Sequence, residues 1–160
     1  MDSLCKSLVL VNSAMPADAP VTADPSTSRF VVVLLQYVSR LDTDQLAKSL
    51  RAHAPASHSG GFRLAVADED ASCAMTGYGH NAVTPFGSDT RLPVVVSEAI
   101  AGMAGSRPGA AVWLGGGHVD VKLRLPVDQL LRPGALTALT SRPLVLRCSV
   151  PREAGDDASA

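Results

Sequence analysis

Two glycine-bearing segments hold the side chains and peptide groups that could do chemistry. The first, residues 76–87, reads TGYGHNAVTPFG and mixes glycines with a proline and small polar residues. Glycine adopts backbone angles that other residues avoid and lets a ligand approach closely, whereas proline fixes φ and removes a donor. We predict a shaped loop here, the Gly-Pro loop, whose peptide groups line a concavity. A tight connection between a helix and a strand is the alternative.

The second segment, the glycine turn, is Gly115, Gly116 and Gly117 followed by His118. A tight hairpin turn and a loop that approaches a ligand fit these residues equally well. His80 and His118 could assist proton transfer because imidazole titrates near neutrality, although exposed loop histidines are commoner. The two segments therefore suggest one site without fixing its reaction.

Three other side chains of the Gly-Pro loop have two interpretations each. Thr84 could orient a water molecule or close a local turn. Tyr78 and Phe86 could stack on an adenine, although aromatic residues beside glycines more often fill the edge of a core.

Metal binding is not indicated. The three cysteines, Cys5, Cys73 and Cys148, are an odd number without CxxC spacing, and they form no ligand pattern with the histidines. No apolar leader ends in a cleavage site, and no run approaches the roughly 18 to 20 apolar residues of a membrane span. We therefore predict a soluble, reduced, cytoplasmic protein that needs no metal or organic cofactor.

Composition predicts one domain. A chain of 160 residues with 46% hydrophobic content can bury its own core. We assign residues 1–150 to that domain and residues 151–160 to a disordered tail. A formal charge of -1 excludes a broadly basic surface, so any nucleic-acid contact must be local.

Hydrophobic patterning places helices and strands around the two segments. Apolar, mostly β-branched runs predict strands over residues 7–11, 30–38, 62–66, 93–96, 111–114 and 144–150. Capping residues and spacing predict helices from 42 or 43 to 51, over 68–75, over 97–104 and over 127–131. Alternation over residues 119–125 predicts a half-exposed strand that forms a hairpin with the strand before it, and the polar residues 13–28 predict a flexible hairpin connection.

In this order, the pieces resemble the YbaK/ProX family, whose members deacylate mischarged tRNA as free-standing proteins or as domains associated with prolyl-tRNA synthetase. The resemblance spans residues 5 to about 132 and rests on seven short matches in register. They are KSLVL from Lys6, LD from Leu41 followed by LAKSL from Leu46, AD from Ala67 nine residues before TGY, VTPFG from Val83, RLP from Arg91, GGG from Gly115, and LPVDQLL from Leu125.

The resemblance implies a mixed α+β domain with a curled mixed central sheet and peripheral helices. It also implies that Lys6 is the functional lysine, and an ammonium suits a phosphate or ribose of the terminal adenosine of tRNA. A solvated cation near a chain end is the alternative for Lys6. We assign Lys6 and Thr84 as catalytic residues. The substrate-binding residues are then Gly77, Tyr78, Asn81, Ala82, Val83, Pro85, Phe86, Gly87, Gly115, Gly116, Gly117 and His118.

The sequence also departs from the family pattern. The family's Gly-x-x-x-Pro segment begins here with Asn81, which tolerates positive φ but brings a polar side chain, and Ala82 favours a small substrate side chain. Gly115 replaces a serine of a common family version, and Ser97 replaces an aspartate. Only five residues precede Lys6, where relatives place a helix and a strand, so one wall of the pocket is expected to be missing.

Two functions follow from the resemblance. The first is trans hydrolysis of mischarged tRNA, gripped at its acceptor end, with prolyl-tRNA synthetase or a synthetase complex as a possible partner and no membrane contact. The second is a non-catalytic module of the same fold that binds tRNA or a synthetase complex. Either function requires that Lys6, the Gly-Pro loop and the glycine turn meet at one cavity.

Overall fold

The computed structural model describes residues 3–56, 60–133 and 143–152. Nine strands and four helices occur in these ranges. The strands are β1 (Ser3–Asn12), β2 (Phe30–Gln36), β3 (Ser39–Leu41), β4 (Leu64–Val66), β5 (Val94–Ser97), β6 (Ala111–Gly115), β7 (Lys122–Pro126), β8 (Leu144–Leu146) and β9 (Ser149–Pro151). The helices are α1 (Thr43–His53), α2 (Glu69–Thr76), α3 (Glu98–Ser106) and α4 (Val127–Leu130).

A seven-stranded mixed sheet forms the centre of the fold. Its strand order is β7-β6-β1-β2-β5-β8, and β4 pairs with β1 outside this path. The pairs β1–β2, β1–β4 and β6–β7 are antiparallel, whereas β1–β6, β2–β5 and β5–β8 are parallel. Strands β3 and β9 make a separate antiparallel pair. The predicted fold class, a mixed central sheet with peripheral helices, is confirmed.

Helices pack on both faces of the sheet, because successive strand residues point to opposite faces. On one face, here the α3 face, buried residues such as Val9, Leu34 and Leu114 pack with Ile100 of α3 and with α4. On the other, the α1 face, Leu10 and Leu35 pack with Leu46 and Leu50. The fold therefore has two core layers, one on each face of the sheet.

Helix boundaries follow the capping residues read from the sequence. Asp42 caps α1 by accepting the Gln45 N–H at 2.8 Å, and Asp68 caps α2 by accepting the Ala71 N–H at 2.7 Å. Helix α2 ends at Gly77, whose φ of 75° lies in the left-handed region. This ending turns the chain directly into the Gly-Pro loop.

Three predictions about elements need correction. The connection over residues 13–28 is not a flexible insert, since Ser26 and Ser28 are buried and Asp24 accepts the N–H of Ser26 at 2.8 Å and its hydroxyl at 2.7 Å. The prediction was wrong because polar side chains close this segment through local hydrogen bonds without a large apolar contribution. Its hairpin character is confirmed by the antiparallel β1–β2 pair.

The strand predicted over residues 119–125 begins only at Lys122, and its apolar side chains do not all face the core. Leu123 and the preceding Val121 are exposed, because β6 is the only described strand that pairs with β7, which therefore forms the edge of the sheet. The hairpin with β6 is confirmed.

The predicted last strand over residues 144–150 is divided into β8 and β9, which join different sheets.

The end of the chain is described only in part. Pro151 of β9 pairs with Ser39 of β3, and residues 153–160 of the predicted tail lie outside the described residues. No described helix has the length and hydropathy that crossing a lipid bilayer demands.

Candidate functional site

Strand β1 is only half-paired on one of its sides. Strand β6 pairs with β1 at Ser3 and Leu4, whereas β4 pairs with it from Leu10 to Asn12. The Ala67 N–H extends the second contact by donating to the Val9 carbonyl at 2.9 Å. Between these contacts, the described residues provide no partner strand on this side of β1.

A cavity of about 350 Å³ opens at this gap. Its floor is the stretch of β1 from Cys5 through Lys6, Ser7 and Leu8 to Val9. Backbone groups alternate in direction along a strand, and the Val9 carbonyl points to the β4 side. The peptide groups of Ser7, two residues earlier, therefore point toward the gap.

The Gly-Pro loop and the glycine turn supply two walls of the same cavity. The lining residues from the loop are Tyr78, Gly79, His80, Asn81 and Val83, and the turn contributes Gly115. The remaining lining residues are Tyr37, Val66, Ala67, Glu69, Ser72 and Lys122. Three segments that are far apart in sequence thus meet at one concavity.

Direct backbone packing holds the two walls together. A Cβ atom on Gly115 would lie 2.8 Å from the Val83 carbonyl oxygen, a distance that real Cβ atoms essentially never show. A Cβ on Gly117, where φ is +87°, would lie 3.1 Å from the Tyr78 ring. Glycine is therefore required at Gly115 by the close approach of the Gly-Pro loop.

Tyr78 joins the two ends of its own loop. Its hydroxyl donates to the Phe86 carbonyl at 2.7 Å, and its N–H donates to the Thr76 hydroxyl at 3.2 Å. Asn81 has a φ of 59°, so the tolerance of asparagine for positive φ, predicted from the sequence, is confirmed. These contacts give the loop a fixed shape.

Lys6 is the buried cation of the site. Its side chain is only 9% exposed, and its ammonium lies 5.9 Å from the centroid of the Tyr37 ring. Burial lowers the pKa of Lys6, and the Arg152 guanidinium lowers it further. A partly desolvated ammonium that lines a cavity is suited to binding an anionic or electron-rich ligand group.

The thiol of Cys5 is not suited to nucleophilic chemistry. Burial raises its pKa to about 12, so the thiol stays protonated at neutral pH, and the thiolate is the reactive form. The Ser7 hydroxyl is buried at the cavity and has no hydrogen-bond partner among the described residues. Among the described residues, neither Cys5 nor Ser7 is therefore placed as an activated nucleophile.

The predicted site residues divide into two groups. Lys6, Tyr78, Asn81, Val83 and Gly115 line the cavity. The others are not among the lining residues: Gly77, Ala82, Thr84, Pro85, Phe86 and Gly87 belong to the Gly-Pro loop, and Gly116, Gly117 and His118 belong to the glycine turn.

Thr84 and the two loop histidines have different surroundings. The Thr84 hydroxyl is buried and has no hydrogen-bond partner among the described residues. His118 is exposed, with its Nδ1 atom 3.7 Å from the Asp120 carboxylate. His80 lines the cavity, with its Nδ1 atom 3.9 Å from the Glu69 carboxylate. Within the described ranges, no group of three or more His, Cys, Asp and Glu residues is placed to hold a metal ion.

Sequence reasoning missed several lining residues, chiefly Tyr37, Glu69 and Lys122. Tyr37 follows an apolar strand and Lys122 lies in an alternating one, so each has a local explanation without a site. Only the pairing of β1 with both β2 and β6 brings them together. Ser7 could have been found from the sequence, because it follows Lys6 in the KSLVL motif.

Comparison with protein families and with curated proteins gives no match. Solved structures do match. A scaffold used for computational grafting of linear epitopes is 24% identical, with a TM-score of 0.64 over 94% of this chain and 73% of its own. A candidate trans-editing enzyme for prolyl-tRNA synthetase is 23% identical, with a TM-score of 0.61 over 92% and 70%.

A third structure, the hypothetical protein APE2540, is 18% identical, with a TM-score of 0.61 over 93% of this chain and 75% of its own. At these identities the similarity concerns the fold. This chain therefore has the fold seen in a candidate trans-editing enzyme, and its cavity lies within that fold.

Proposed function

We propose that this protein is an aminoacyl-tRNA deacylase that hydrolyses mischarged tRNA in trans, in the cytoplasm. The observation that carries the proposal is the meeting of Lys6, the Gly-Pro loop and Gly115 at one cavity. Its fold is similar to that of a candidate trans-editing enzyme for prolyl-tRNA synthetase, which supports an editing role and that synthetase as a partner.

The cavity suits a small esterified group. Its volume of about 350 Å³ is near the lower end of the range for ligand pockets, roughly 300 to 1,000 Å³. Such a space accepts a small aminoacyl group and part of a ribose. Asn81 and Tyr78 add polar groups at the wall, and the terminal base would lie outside.

In the proposed reaction, water adds to the ester carbonyl and the ribose hydroxyl leaves with a proton. The Lys6 ammonium holds the terminal nucleotide as a compact point charge, and the peptide groups of β1 and the Gly-Pro loop orient the aminoacyl group. Because burial keeps the Cys5 thiol protonated, the scheme uses water and not this thiol as the nucleophile. Thr84 supports the loop in this scheme, and no cofactor takes part.

A single-turnover assay tests the proposal with alanyl-tRNA(Pro), cysteinyl-tRNA(Pro) and seryl-tRNA as substrates. The wild-type protein is expected to release amino acid from at least one of them faster than buffer does. Lys6→Ala is expected to lose this activity, and Lys48→Ala, which removes an exposed lysine of α1, is expected to keep it. Full activity in Lys6→Ala would remove Lys6 from the site.

The alternative is a non-catalytic module that binds tRNA or a synthetase complex. It is favoured by Asn81 at the first position of the loop segment and by Ser97, which stands where the family pattern has an aspartate. Binding of uncharged and charged tRNA without release of amino acid above buffer would select this module and contradict the deacylase.

A further inference from the structure

Within the described ranges, no helix packs on the α1 face of the sheet at its β6–β7 end. In the registers of the sheet, Leu4 of β1 lies opposite Trp113 of β6, and Trp113 lies opposite Arg124 of β7. The Tyr37 N–H donates to the Leu4 carbonyl at 3.0 Å, which places Tyr37 on the other side of Leu4. Directly opposed residues share a face of a sheet, so these four side chains form one row.

This row adjoins the cavity. Residues two positions apart on a strand share a face of the sheet. Lys6 is two residues from Leu4 on β1, Gly115 is two residues from Trp113 on β6, and Lys122 is two residues from Arg124 on β7. All three line the cavity. Tyr37 lines it as well. The row therefore continues the cavity wall onto the outer surface of the sheet. We call the side chains of Tyr37, Leu4, Trp113, Arg124 and Lys122 the aromatic surface.

The aromatic surface exposes large apolar groups next to cations. Tyr37 is 39% exposed, Leu4 is 45% exposed and Trp113 is 37% exposed, and Arg124 and Lys122 are also exposed. Exposed aromatic rings beside Lys and Arg are what single-stranded nucleic acid requires, because bases stack on the rings and phosphates meet the cations.

We propose that the aromatic surface binds the single-stranded 3′ end of an RNA, with a base stacked on Trp113 and backbone phosphates at Lys122 and Arg124. The proposal rests on the proposed function, because it supplies the path by which an esterified terminal nucleotide enters the cavity. It assigns the nucleotides before the terminal one to a defined surface of this chain.

Local charge distinguishes this occupant from a protein partner. The whole chain has a formal charge of -1, yet the row and the adjoining cavity wall carry Arg124, Lys122 and Lys6. Two acidic groups lie nearby, Asp120 in the turn and Glu69 on the opposite wall, and their carboxylates are 3.7 and 3.9 Å from the Nδ1 atoms of His118 and His80. A cationic strip that leads into a cavity complements a phosphate backbone, and an apolar protein interface would have less charge at its centre.

Trp113 is the only tryptophan of the chain, so its fluorescence reports directly on this surface. The probe is an uncharged single-stranded RNA that ends in the 3′ sequence of tRNA, titrated into the wild-type protein. Stacking is expected to quench the tryptophan emission in a saturable manner. The same RNA annealed to its complement is expected to bind more weakly, because its bases are no longer available for stacking.

Fluorescence anisotropy of the labelled RNA then measures its affinity for each variant. Trp113→Leu is expected to weaken binding by about tenfold, whereas Val145→Ala, an exposed apolar residue of β8 at the far edge of the sheet, leaves it unchanged. Lys122→Ala is expected to reduce the slope of log affinity against log salt by about 0.7, and Lys48→Ala is not.

The outcomes separate this proposal from the deacylase. Quenching and the Trp113→Leu defect without ester hydrolysis would support the aromatic surface and contradict the proposed function. Ester hydrolysis with no quenching, and with full activity in Trp113→Leu, would overturn the aromatic surface alone. A dimer that Trp113→Leu dissociates, with no RNA binding, would also overturn it by showing that a second copy of the chain covers this face.

Discussion

The two halves of β1 have the same conformation and different neighbours. From Leu10 to Asn12 the strand pairs with β2 on one side and β4 on the other, and Leu10 is completely buried. From Cys5 to Leu8 it pairs with β2 alone among the described residues, and these residues line the cavity. One half completes the core, and the other has peptide groups that face the cavity.

The difference shows how a sheet can hold a site without a separate domain. Among the described residues, β6 pairs with β1 only as far as Trp113, and two residues later its Gly115 packs against the Val83 carbonyl of the Gly-Pro loop. The loop therefore meets the sheet at the gap that follows the end of this pairing. The cavity therefore lies between the points at which β6 and β4 stop pairing with β1.

The largest effect is expected in the closed half. Leu10→Ala removes a fully buried side chain between the sheet and α1, and is expected to lower the free energy of unfolding by about 2 to 5 kcal/mol. Leu123→Ala, the same change at an exposed position of β7, is expected to cost less than about 1 kcal/mol. Urea denaturation of both variants measures the difference, and equal losses would show that Leu10 is not a core residue.

In the open half, Lys6→Met is expected to affect activity and to spare stability. Without the ammonium the terminal nucleotide is held less accurately, so single-turnover hydrolysis is expected to fall by about 100-fold. The free energy of unfolding should change by no more than about 1 kcal/mol, because burial already penalises the charged form of Lys6. A variant that loses stability as Leu10→Ala does would place Lys6 in the core and contradict the comparison.

Much of the fold could be predicted because runs of apolar, β-branched residues indicate buried strands. The strand around Val32 to Leu34, the Asp42 and Asp68 caps and the positive φ of Asn81 all follow from local chemistry. Local chemistry fails at the edge of the sheet, where Val121 and Leu123 keep an alternating pattern with no layer to cover them.

The site was predictable only where a sequence motif marks it. Lys6, Tyr78 and Asn81 lie in recognisable segments, whereas Tyr37 and Lys122 reach the cavity through the long-range registers of β1 with β2 and of β6 with β7. A single sequence does not specify those registers. The order of residues 13–28 was missed for a different reason, since it depends on the hydrogen bonds of Asp24 with Ser26.

Gly115→Ala tests the contact that separates the two halves. The added Cβ would lie 2.8 Å from the Val83 carbonyl oxygen, so the glycine turn and the Gly-Pro loop must move apart. We expect a loss of about 1 to 3 kcal/mol of stability and a fall in hydrolysis of about tenfold. The control is Gly105→Ala in α3, where a Cβ meets open space, and it is expected to raise stability by about 0.5 to 1 kcal/mol. If both alanines had the same effect, the close approach at Gly115 would be of no importance.

The smallest effect is expected in the pH dependence of the open half. Because burial and Arg152 lower the pKa of Lys6 below its ordinary value of 10.5, its ammonium is lost earlier as the pH rises. Hydrolysis that depends on this ammonium is expected to fall on the alkaline side, by about twofold at the lowered pKa, after subtraction of the buffer rate. Lys6→Arg keeps its charge and is expected to lack this fall.

The lowered pKa of Lys6 also determines whether stability rises or falls with pH. Between the lowered pKa and 10.5 the unfolded chain binds more protons at Lys6 than the native protein does, so this residue's unfavourable contribution is complete below that window and is relieved as the pH rises through it. The stability of the wild-type protein should therefore approach that of Lys6→Met with rising pH. A gap that widens instead would mean that the native protein stabilises the charged form, and that the open half of β1 already supplies Lys6 with the anion-like partner that we assign to the substrate.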